Sequence, residues 1–81
     1  IQVENITFVI TDVNSYNHTA IKVSSHSSNI TNNTITGTLT TDTAAIDVTD
    51  AEDILIRDNT ITLIGGYAVK VANSNKVQIT N

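Results

Sequence analysis

Six acids fall close together in the middle of the chain: Asp42, Asp47, Asp50, Glu52, Asp53 and Asp58. Hard carboxylate oxygens at that density suit calcium, which gathers about six to eight such ligands. The densest run, Thr49 to Asp53 (TDAED), lacks the alternating acids and central glycine of a calcium loop, so a solvated turn is the expected state. Calcium is thus the one metal candidate, and no other cofactor is indicated. The histidines, His18 and His26, lie in polar stretches without a matched partner and are expected to be solvated. Tyr16 and Tyr67 could stack on a sugar ring, although packing at a corner is the simpler role. Arg57 is the only arginine, and no carboxylate pair recurs at a fixed spacing. Cysteine is absent, which removes thiolate nucleophiles, thiolate zinc sites and disulfides. No catalytic residue is therefore assigned, and the expected function is non-catalytic.

Four asparagines head an Asn-x-Thr triplet: Asn5, Asn17, Asn29 and Asn32. These are N-glycan acceptors in a secreted protein. A chain this rich in Ser and Thr yields about two or three such triplets by chance, so four is a hint. Asn17, in the longest polar stretch (Thr11 to Thr19), is the favoured acceptor, whereas Asn32 has a competing structural use.

Bulk composition narrows the class. The 81 residues suit one small domain, spanning 1–81. A net charge of -4 with four basic residues offers no stripe for phosphates, so no nucleic-acid partner is expected. No apolar run approaches the ~20 residues of a membrane span, and no charged-then-apolar leader is seen. A start at Ile1 rather than Met is what processing or excision would leave. Thr (14), Asn (10) and Ser (6) dominate, Ile and Val supply 20 residues, and proline is absent. β-branched residues with Asn and Asp at turns suit many short strands.

The elements that would carry these residues repeat. Ala45 to Leu63 (AIDVTDAEDILIRDNTITL) is echoed by Ala20 to Thr36 and by Ala68 to Asn81. Opening alanines lie 25 and 23 residues apart, and Ile30, Ile56 and Ile79 lie 26 and 23 apart. Such a period sets the fold. No apolar pattern holds helical spacing for three turns, so essentially no helix is predicted. Each repeat instead predicts three strands of two to five residues: Ala45–Val48, Ile54–Ile56 and Thr60–Leu63 in the clearest copy. Ala20–Val23 predicts a further strand, Ser24 to Ser28 a turn, and Asn32-Asn33 a corner between inward Ile30 and Ile35. One such unit has no second layer to cover its apolar face. Coiling the chain so that like strands stack in parallel supplies one. The turns are expected at 1–19 (partial), 20–44, 45–67 and 68–81 (partial). Inner columns are Ile21, Ile46, Val69; Val23, Val48, Val71; and Ile30, Ile56, Ile79 above Val3. Ala20, Ala45 and Ala68 form a small-residue column.

The units Ile30 to Thr36 and Ile56 to Thr62, both Ile-x-x-Asn-Thr-Ile-Thr, with their Ala-Ile-x-Val openings, resemble the right-handed parallel β-helix repeats of the pectin-lyase-like superfamily. The resemblance covers nearly the whole chain. It implies an all-β, right-handed parallel β-helix (β-solenoid) of about three turns. It is poor in functional meaning, because that superfamily includes polysaccharide lyases, hydrolases, epimerases, tailspikes, adhesins and structural stalks. It also implies stacked asparagines at one bend, here the column Asn5, Asn32, Asp58, Asn81, flanked by Asn33 and Asn59. Asn tolerates the left-handed backbone of a sharp bend, and its amide can bond to the one above. The outer column Lys22, Asp47, Lys70 reads as a ladder of opposite charges.

Neither end shows a cap such as solenoids normally carry. The expected partner is therefore a copy of the chain through the open ends, giving an extracellular or cell-surface filament or fibre. Plain stacking meets a difficulty, since one wall would be four layers deep and the others three, and Lys70 could fall beside Lys22. The alternative is a fragment of a β-helix that binds or cleaves polysaccharide. A calcium-dependent adhesin would gain stability on adding calcium.

Overall fold

The structure, a computed structural model, describes residues 1–10, 19–39 and 43–80. Ten strands run in order: β1 (Gln2–Glu4), β2 (Thr7–Ile10), β3 (Ile21–Val23), β4 (His26–Thr31), β5 (Thr34–Thr38), β6 (Ala44–Thr49), β7 (Glu52–Arg57), β8 (Thr60–Ile64), β9 (Tyr67–Ala72) and β10 (Asn75–Thr80). There is no helix among the described residues. Every third strand shares a sheet, so the chain coils around three walls. The first wall is β1-β4-β7-β10, the second β2-β5-β8 and the third β3-β6-β9. All pairings are parallel. The molecule is a parallel β-solenoid, four layers deep on one wall and three on the others.

The register sets like residues over like. Ile21, Ile46 and Val69 align, as do Val23, Val48 and Val71. Val3, Ile30, Ile56 and Ile79 form the matching column of the first wall. Phe8, Ile35 and Ile61 line the second. All of these side chains but Val71 and Ile79 pack in one central core, in which β-branched residues at alternating positions suit the pleat. Ala45 is fully enclosed. Burial of such columns at about 25 cal/mol per Å² is the main favourable term.

Corners are short. Two residues separate β4 from β5, β6 from β7, β7 from β8, β8 from β9 and β9 from β10. Five residues of sequence separate β5 from β6, against two between β8 and β9. Five residues against two accounts for the spacing of 26 rather than 23 between successive Ile columns. The turn expected over Ser24 to Ser28 is shorter than that, because β4 starts at His26 and the turn keeps only Ser24-Ser25. Ser27 adopts a left-handed φ of 57° inside the strand, as do Asp53 (63°) and Lys76 (54°) at the same level of β7 and β10. This kink turns the chain without ending the ladder, so several strands reach six residues where two to five were expected.

Candidate functional site

Hydrogen-bonded side-chain amides gather at the corner between the first and second walls. Asn5, Asn32 and Asp58 are left-handed there, with φ of 59°, 54° and 59°. Short polar side chains tolerate that backbone best, and all three are exposed. Their backbone N–H groups donate to the carbonyls of Thr31, Arg57 and Thr80 in the coil above. Asn81, the fourth member of the expected column, lies outside the described residues.

The stacked amides, however, belong to the next position. The Asn33 Nδ2 donates to Asn59 Oδ1 at 3.0 Å and to the Val3 carbonyl at 3.1 Å. Asn33 N–H also donates to Asn59 Oδ1 at 2.9 Å, and Ile6 N–H donates to Asn33 Oδ1 at 3.1 Å. Asn59 repeats the scheme one coil up, giving its Nδ2 to the Ile30 carbonyl at 2.9 Å. Each amide thus closes the corner of the coil below it. Asn33 is 1% exposed with all its bonds made. The hydrogen-bonded ladder is Asn33–Asn59, not Asn5–Asn32–Asp58. A left-handed residue at the bend points its side chain outward, and the following residue is the one turned toward the stack.

The outer column holds its register but makes no ion contact. Lys22, Asp47 and Lys70 are aligned on the third wall. Among the described residues Arg57 pairs with Asp58 at 3.4 Å, and the His26 imidazole lies 3.6 Å from the Glu52 carboxylate. Asp47 instead accepts from the Thr49 hydroxyl at 2.7 Å, two residues along its own strand. A short local bond competes well with a long, solvated lysine.

The acids are dispersed in the same way. Asp53 accepts from Ser27 at 3.2 Å, Asp50 accepts from the Asn73 amide, and Asp42 lies outside the described residues. No three His, Cys, Asp or Glu among the described residues converge as a metal site. His26, expected to lack a partner, faces Glu52 because β4 and β7 pair at that level. His18, Tyr16 and the favoured acceptor Asn17 lie outside the described residues. Asn5, Asn29 and Asn32 are exposed, Asn29 on the outer face of β4. Tyr67 is half-exposed on β9.

One feature was missed, an open groove of about 630 Å³ on the first wall, lined by Ser27, Asn29, Asp53, Leu55, Lys76 and Gln78. It adjoins the in-strand kink, and Lys76 carries no turn signal that would have marked it. Open apolar ends were expected from the absence of caps. Ile79 is 53% exposed and Val71 42%, although Ile56 and Val48 in the same columns are 2% and 0%.

No family model, curated protein or solved structure matches this chain.

Proposed function

We propose that this chain is a non-catalytic structural subunit, a β-solenoid block that stacks end to end on copies of itself into an extracellular filament or surface fibre. The observation that carries the reading is the exposure of core columns at the end coils, Ile79 and Val71 above all. Apolar area left in water there is recovered when another layer covers it. The backbone edges of β8, β9 and β10 supply the ladder partners for that layer. Kinship with pectin-lyase-like β-helices is part of the proposal, resting on the two Ile-x-x-Asn-Thr-Ile-Thr units. The extracellular placement rests on the exposed Asn-x-Thr acceptors.

Sedimentation velocity over a concentration series tests the stacking, with negative-stain microscopy of the same samples. Mass should grow with concentration, and fibres of uniform width should appear. A monomer at every concentration overturns it.

A second reading is favoured by the groove on the first wall. Amides, a hydroxyl, a carboxylate and an ammonium around an apolar floor suit the hydroxyls and rings of a polysaccharide. Binding on a glycan array that Gln78→Ala and Asn29→Ala weaken would put this reading first.

A further inference from the structure

The second wall differs from the other two in what it shows to water. Phe8, Ile35 and Ile61 turn into the core, so the residues on either side of each face outward. These are Thr7 and Val9 on β2, Thr34 and Thr36 on β5, and Thr60 and Thr62 on β8. Pairing is in register: Thr7, Thr34 and Thr60 form one row, and Val9, Thr36 and Thr62 the other. The outer face is thus a rectangular net with threonine at all points but that of Val9. Its points lie about 4.8 Å apart from strand to strand and about 6.6 Å apart along each strand. Val9, 72% exposed, has the shape of threonine with a methyl in place of the hydroxyl.

We propose that this net is a binding site for crystalline water, the prism face of hexagonal ice. The repeat is the first support. Oxygens of that ice face lie on a rectangular net of closely similar dimensions, so the hydroxyls and the waters they anchor can occupy lattice positions. Threonine is restricted at χ1, so the hydroxyls stand in file before any ice arrives. They are also free to bond outward, since among the described residues none of them has a partner within the protein.

Charge is the second support. No charged residue lies on β2, β5 or β8. Asp53, Arg57 and Lys76 stand on the first wall, and Lys22, Asp47 and Lys70 on the third. A charge keeps a hydration shell that does not fit a crystal lattice and is costly to strip. Methyls and hydroxyls without charge complement a neutral, hydrogen-bonding surface. The site lies on the flank of the coil, so it is independent of how, or whether, the ends meet.

Slow growth of ice from a solution of the protein tests the proposal, together with the gap between melting and freezing temperatures. The native chain should enter the ice and open a gap that widens with concentration. Thr34→Lys and Thr62→Lys, both at exposed points of the net, should lose most of that gap while keeping the native far-ultraviolet circular dichroism. Gln78→Lys, an exposed change on the first wall, should retain it. Exclusion of the native chain from growing ice overturns the site, as do equal losses from Thr34→Lys and Gln78→Lys. Loss of self-association in Thr34→Lys, with no effect of the native chain on ice, also overturns it and assigns the face to contact between copies.

Discussion

At the scale of single residues, neighbouring asparagines at one corner have unlike roles. Asn33 is enclosed and joins three coils through its amide, whereas Asn32 is exposed and serves the backbone. Asn33→Ala leaves the Ile6 N–H and the Val3 carbonyl without their partner and is expected to cost about 2–3 kcal/mol in urea unfolding. Asn32→Ala keeps those bonds and costs about 1 kcal/mol, from the left-handed backbone alone. Equal losses for the two would contradict this division. Lys76 shows the reverse case, a long side chain at φ 54°. Lys76→Asn is expected to raise the unfolding free energy by up to about 1 kcal/mol, read from the denaturation midpoint. Sequence reading found the corner because Asn-Asn is a turn signal. It chose the wrong member for the ladder, because which of two adjacent side chains turns toward the stack depends on the φ of the first.

At the scale of the element, a left-handed residue ends the strand at Asn5, Asn32, Asp50, Asp58 and Asn73 but is carried inside it at Ser27, Asp53 and Lys76. Gly37 in β5 holds φ 147°, and a Cβ there would sit 2.2 Å from the Ile10 carbonyl oxygen. Gly37→Ala must therefore separate β2 from β5, and a loss of about 3 kcal/mol or more is expected in thermal or urea unfolding. Position within the stack decides the worth of a core side chain. Ile46→Ala, at the enclosed centre, should cost about 2–5 kcal/mol, while Ile79→Ala in dilute solution should cost well under half of that. Their inward direction was legible from the period of two. The depth of burial was not, since Ile56 and Ile79 occupy equivalent places in their repeats and yet are 2% and 53% exposed.

For the whole molecule, the functional reading turns on the end coils. Ile79→Lys sets an ammonium into the column that a stacked copy would cover. It should abolish the rise of sedimentation coefficient with concentration and leave the far-ultraviolet circular dichroism of the subunit unchanged. Persistent association of this variant would place the contact elsewhere on the surface. The outer charges bear little on assembly of the subunit itself: Asp47 is engaged by Thr49, and its lysine neighbours make no ion contact.

The parallel solenoid followed from the sequence alone. Recurring Ala-Ile-x-Val and Asn-Thr-Ile-Thr segments, with apolar residues at a period of two, admit no simpler way to bury one face. Strand number per coil and column membership came with it, because parallel stacking of repeats leaves register no freedom. Tertiary structure alone decided which amides bond, that Lys22, Asp47 and Lys70 align without pairing, and that β4, β7 and β10 each bend at an internal residue. Those outcomes depend on backbone hand and on competition among nearby partners. Both arise only when successive coils lie about 4.8 Å apart.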